Sequence, residues 1–99
     1  MKTKKTSTVL KKLGKFINVR NCKSSNYNDV PNQYIIDFEN GTIFKSYDSI
    51  IAIITGGKTY IGHNWDYSNT TGKYRNIFLG EEKKETQKKI ESGEYIMLN

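Results

Sequence analysis

Residues 44–79 read FKSYDSIIAIITGGKTYIGHNWDYSNTTGKYRNIFL, and the fold turns on them. Within them, residues 50–55 (IIAIIT) are apolar at nearly every position, as a central strand buried on both faces requires. Gly56-Gly57 is a tight turn, and residues 58–62 return as the next strand. Beyond His63 and Asn64 the period changes. Trp65, Tyr67, Thr71, Tyr74 and Phe78 recur near helical spacing. Ser68 or Asn69 is placed to cap that helix and Gly80 to end it. Gly72 in its interior works against it by about 1 kcal/mol.

Upstream, residues 34–39 (YIIDFE) and 42–47 (TIFKSY) flank Asn40-Gly41. Asn-Gly between two β-prone runs predicts a type I′ hairpin, whose two central residues both need positive φ. Asp48-Ser49 makes a short corner into the central strand. Residues 16–21 predict a strand, and residues 23–33, rich in Ser, Asn and Asp and holding the only Pro, predict a loop. Downstream, residues 81–92 predict a second helix. Glu81 and Glu82 lie at its positive end and Lys88 and Lys89 near its negative end, with Glu85 and Lys89 spaced as an ion pair. Gly93 stops it, and residues 94–98 follow as an edge strand. The expected fold is α+β: a small antiparallel β-meander of about four or five strands with two C-terminal α-helices packed on one face. At 99 residues the chain is one domain with one modest core.

Charge divides the chain unevenly. Residues 1–28 contain Lys2, Lys4, Lys5, Lys11, Lys12, Lys15, Arg20 and Lys23 and no acid, a charge of +8; the remaining residues sum to −2, for a total of +6. Such asymmetry points to an anionic partner for one end. Residues 1–15 are expected as a basic N-terminal arm, either frayed in solution or ordered on a phosphate backbone, ahead of a single domain over residues 16–99. The longest apolar run is far short of the roughly 20 residues that span a bilayer. No signal-peptide core is present, and Cys22 is the single cysteine, which fits a reducing compartment. The expectation is a cytoplasmic protein with no membrane partner.

Several motifs carry possible chemistry. Residues 52–59 (AIITGGKT) fit a loose phosphate-loop pattern, but the residues before and after the glycines are strand rather than the start of a helix, so a Gly-Gly hairpin accounts for them. His63 with Asp66 has no second His or Cys to complete a metal sphere. Cys22 with His63 lacks an oxyanion loop. Neither a catalytic residue, a metal nor a cofactor is assigned. Trp65, Tyr67, Tyr74 and Phe78 either pack on the sheet or stack on bases, with Lys73 and Arg75 exposed between them to meet phosphates.

The segments FKSYDSIIA (44–52), G-x-x-Y-I-G (57–62) and WDYSNTTGKYRNIFL (65–79), with Glu91-Ser92-Gly93-Glu94-Tyr95, carry a resemblance. They resemble a family of small uncharacterised proteins carried by phages and plasmids of low-GC Gram-positive bacteria, of which W-D-Y-S-x-T-T-x-K is the most specific part. The resemblance covers about half of the chain and implies no activity. It implies a mobile-element setting, in which small accessory proteins commonly disable host machinery, CRISPR nucleases included. The expected function is therefore a non-enzymatic inhibitor that binds a host defence ribonucleoprotein or nuclease, in the manner of an anti-CRISPR. The alternative is a DNA- or RNA-binding protein serving the element's own replication or expression. The expected contacts are Lys2, Lys4, Lys5, Lys11, Lys12, Lys15, Arg20, Lys23, Lys73 and Arg75. The chain is a monomer or, through an exposed edge strand, a homodimer.

Overall fold

The computed structural model describes residues 1–99. Seven strands form one sheet: β1 (Lys2–Lys4), β2 (Phe16–Lys23), β3 (Asp29–Phe38), β4 (Gly41–Ser46), β5 (Ser49–Thr55), β6 (Lys58–Ile61) and β7 (Ile96–Leu98). Three helices accompany it: α1 (Thr6–Leu10), α2 (Asn69–Leu79) and α3 (Lys83–Ser92). Strands β2 to β6 are the expected antiparallel meander. The sheet is nevertheless larger and mixed, in the order β1-β7-β6-β5-β4-β3-β2, because β7 joins β6 in parallel and β1 joins β7 in parallel. Two three-residue strands have no period of their own; only distant partners make them strands.

Turn chemistry sets the meander's register. Gly56 and Gly57 have φ of 60° and 72° between the paired Thr55 and Lys58, the conformation a type I′ turn demands. The Asn40-Gly41 turn differs from expectation by one residue. Phe38 pairs with Gly41, so Glu39 and Asn40 are the central residues, and neither has positive φ. Gly41 is there for space instead: a Cβ would lie 2.4 Å from the Ile54 carbonyl oxygen.

Both faces of the sheet are covered. Cross-strand pairing aligns Ile36, Ile43, Ile53 and Tyr60 on one face, where Val9, Leu13 and Leu98 pack against them. Ile35, Phe44, Ala52, Ile61 and Met97 align on the other, beneath Tyr74 and Phe78 of α2 and Ile90 of α3. An irregularity in the β4–β5 ladder adds Ile51 to this second face beside Ala52. Ile51, Ala52 and Ile53 therefore have no solvent side to make polar, whereas Ile54 meets water.

Residues 1–15 are not a projecting arm. Lys2 and Lys4 pair with Ile96 and Leu98, the Thr6 N–H and hydroxyl both donate to the Asn99 carbonyl, and Val9 and Leu13 are 0% and 1% exposed. Val9, Leu10 and Leu13 are spaced for a short turn of helix among lysines and threonines, and only the sheet reveals Val9 and Leu13 as core. No helix of the chain is long and apolar enough to cross a membrane.

Candidate functional site

The first candidate surface is the lysine-rich segment. Lys5 and Lys11 flank α1 directly, Lys2 and Lys4 lie on β1, and Lys12 and Lys15 follow the helix. The backbone is fixed at both ends of the segment: Asn99 N–H donates to the Lys4 carbonyl, Asn40 N–H to the Leu13 carbonyl, and Glu39 N–H to the Lys15 carbonyl, each at 2.9 Å. All six lysines are exposed, and none forms an ion pair. The Lys12 ammonium lies 6.0 Å from the centre of the Tyr60 ring. Arg20 and Lys23 on β2 are exposed but already paired, with Asp37 and Asp29 respectively. Lys73 is exposed on α2, its ammonium 5.5 Å from the Tyr74 ring centre.

Arg75 does not belong to any surface. It was expected to be exposed and is 1% exposed. Its guanidinium donates to the Trp65 carbonyl at 2.6 Å, to the Asp66 carboxylate at 3.4 Å and to the Asn76 side chain at 2.9 Å, and it stacks 5.0 Å from the Trp65 ring. A planar cation with several donors closes the loop between β6 and α2 from beneath. Asp66 also meets Lys83, whose hydrogen bond is the main cause holding the Asp66 carboxyl below its ordinary pKa; burial opposes this and Arg75 adds to it. The conspicuous W-D-Y…R spacing is thus largely a structural clamp.

The clamp sorts the aromatic stripe. Tyr74 is buried, Phe78 packs at 5.8 Å from Phe44, and Trp65 is half-buried against the core beside Arg75. Tyr67 turns outward and is 72% exposed. His63 is exposed in the loop after β6, whereas Cys22 lines a different groove between β2 and α2. Burial raises the Cys22 thiol above its ordinary pKa, with Arg20 pulling it back, which is the wrong direction for a nucleophile.

The second candidate surface is a cleft of about 480 Å³ between the β4–β5 turn and the start of α2. Tyr47, Asp48 and Ser49 form one wall; Asn64, Tyr67 and Ser68 form the other. Its floor is a chain of hydroxyls. Ser46 and Thr71 share a hydrogen bond of 2.8 Å, and Ser68, the N-cap of α2, accepts from the Thr71 N–H at 3.1 Å. Across the β3–β4 ladder from Ser46 lies Gln33, 0% exposed, with neither amide atom hydrogen-bonded. Enclosing such a group without partners costs about 1–3 kcal/mol. Tyr47 holds φ of 53°, rare for an aromatic residue, while its N–H donates to the Asn32 carbonyl at 2.7 Å. A smaller cleft of about 290 Å³ shares Asp48, Ser49 and Asn64 with this one and continues to Thr6 and Asn99. Of these walls only Tyr67 stood out from the sequence; Tyr47, Ser49 and Asn64 come together through a turn and a loop with no shared motif.

These features define a small mixed-sheet α+β domain with an anchored lysine surface and a tyrosine-walled cleft. The chain belongs to the family of unknown function DUF8033, whose profile matches residues 13–94. That stretch contains residues 44–79, which carry the resemblance, and reaches well upstream of them. No curated protein and no solved structure matches the chain.

Proposed function

We propose that the protein is a non-enzymatic accessory protein that binds a polyanionic partner through its lysine surface. Its setting, on this reading, is a phage or other mobile element, and its target is a host nucleic-acid-dependent defence complex that it blocks as an anti-CRISPR does. One observation carries the reading: six exposed lysines without counter-ions stand on a backbone that the sheet holds still. Like charges gathered this way repel one another, and an anionic partner relieves that repulsion while releasing its own counter-ions. Arg20, Lys23 and Lys73 extend the surface more weakly, since the first two are already paired. Arg75 is withdrawn from the contact set.

The alternative, a DNA- or RNA-binding protein serving the element itself, uses the same surface and differs in partner. Fluorescence anisotropy with labelled single- and double-stranded RNA and DNA separates the two. Direct binding that falls by about 10³-fold or more between 50 and 200 mM salt, the signature of roughly six phosphate contacts, supports the alternative. It should be abolished by the joint change of Lys5, Lys11, Lys12 and Lys15 to Gln. Tight binding only to an assembled ribonucleoprotein supports the inhibitor. Absence of binding to any polyanion at 50 mM salt overturns the reading.

A further inference from the structure

We propose that the tyrosine-walled cleft holds an unpaired nucleobase, making single-stranded nucleic acid the polymer this protein takes. This rests on the polyanion reading above and deepens it. The cleft has the chemistry of a base and not of a phosphate. Two aromatic rings, Tyr47 and Tyr67, stand on opposite walls. At its edge Asn64 Nδ2 donates to Ser49 Oγ at 2.9 Å, which leaves the Ser49 hydroxyl proton and the Asn64 amide oxygen to meet a base, while Ser68 is engaged with Thr71. No Lys or Arg lines it, and its one charge is the Asp48 carboxylate, which repels phosphate. Its volume falls among small-molecule sites, about 300–1,000 Å³.

Two observations point to an occupant. Tyr67 is 72% exposed, although its loop is pinned on both sides: the Arg75 clamp holds Trp65 and Asp66, and the Tyr67 N–H donates to the Asn64 carbonyl. An anchored loop that presents a large ring to water gains nothing from that ring in the folded chain alone. Tyr47, opposite, is held in a backbone region that aromatic residues seldom adopt. The second cleft adjoins this one across the Asn64–Ser49 hydrogen bond of 2.9 Å and extends to Thr6, next to Lys5, so a chain leaving the first cleft over that bridge runs toward the lysine segment. A strand with one base between the tyrosines reaches the lysines with its neighbouring phosphates, whereas a stacked duplex has no base free to enter.

The test compares, by anisotropy at 50 mM salt, an oligothymidine, an abasic strand of the same length and a duplex, with wild-type protein, Tyr67→Ala and Tyr67→Phe. The expected result is binding of the oligothymidine about tenfold tighter than of the abasic strand. Tyr67→Ala should remove that preference while leaving abasic-strand and duplex affinity unchanged, and Tyr67→Phe should keep it. Equal affinity for the two strands, or a preference that survives Tyr67→Ala, overturns the base cleft and leaves the lysine reading standing. Failure of wild-type protein to bind any of the three overturns the base cleft, and the lysine reading then stands or falls with binding to an assembled ribonucleoprotein. Tyr67 is largely solvent-exposed, so its loss is not expected to disturb folding.

Discussion

Arg75 shows at the scale of one residue how burial changes what a charge means. By composition it is one of sixteen basic residues and looks like a surface contact. In the fold it is a bolt between the Trp65 carbonyl, Asp66 and Asn76. Removing it strands those acceptors in a partly enclosed site. Arg75→Leu should lower unfolding free energy by about 2–3 kcal/mol, below the full cost of breaking a buried pair because Asp66 is 39% exposed. Urea titration followed by Trp65 fluorescence measures it, and an unchanged midpoint would show that the clamp is ornamental. Lysine cannot substitute, since one ammonium does not serve three planar directions. A helical stripe in the sequence tells which residues share a face but not that a neighbouring loop folds back over the flank. Tyr67 is the converse case, lying on the same stripe yet facing out, because it precedes the helix and follows loop geometry.

The elements differ in how legible they were. The five-strand meander could be read from alternation and from Gly56-Gly57, since each strand pairs with its sequence neighbour. Both C-terminal helices could be read from their glycine stops, and Gly80 and Gly93 do end them, with φ of 71° and 84°. The strand over residues 94–98 is legible, but not that it lies inside the sheet with β1 as the edge, nor that α1 and β1 form a unit with it. A five-residue helix and two three-residue strands are each too short to hold a conformation alone, so tertiary packing decides them. Lys, Thr and Ser in the segment gave the opposite impression, that of a solvated arm. The consequence at this scale is that the lysine segment contributes to stability as well as charge. Leu13→Ala, which opens a void among Val9, Ile43 and Ile53, should cost about 2–5 kcal/mol in a thermal or denaturant melt. A cost near zero would return the segment to its expected status as a loose arm. Truncation at Phe16 is therefore a poor probe of binding, and charge-removing substitutions are the informative ones.

For the whole molecule, the net charge of +6 makes stability depend on pH through more than single groups. Two carboxylates tie separate parts together: Asp66 joins the β6–α2 loop to Lys83, and Glu81 joins Lys89, Thr86 and Tyr95 near the start of β7. Burial works to raise the Glu81 pKa, but hydrogen bonds from Lys89, Thr86 and Tyr95 outweigh it, so the carboxyl titrates below its ordinary value; the Asp66 carboxyl is depressed as well. The same cluster pushes Tyr95 up to about 12, through burial and then Glu81. A depressed folded pKa contributes stability that is present above the unfolded value, about 4, and is lost as pH falls through the folded value. Melting temperature should thus hold from pH 7 to about pH 5 and drop below about pH 4, more steeply at low salt, where protonated acids leave the lysines unopposed. Glu81→Gln should melt lower at pH 7 and show a shallower acid limb; identical limbs would exclude Glu81 as a contributor. Finally, the parallel pair β1–β7 joins Lys2 to Ile96, residues 94 positions apart, whereas each meander strand meets its neighbour within a short loop. Closing so large a loop has a high entropic cost before its contacts repay it. The meander can nucleate early, while the Lys2–Lys5 end of the lysine surface, which this pair holds, closes later and is the first part to be released when the sheet opens at that edge.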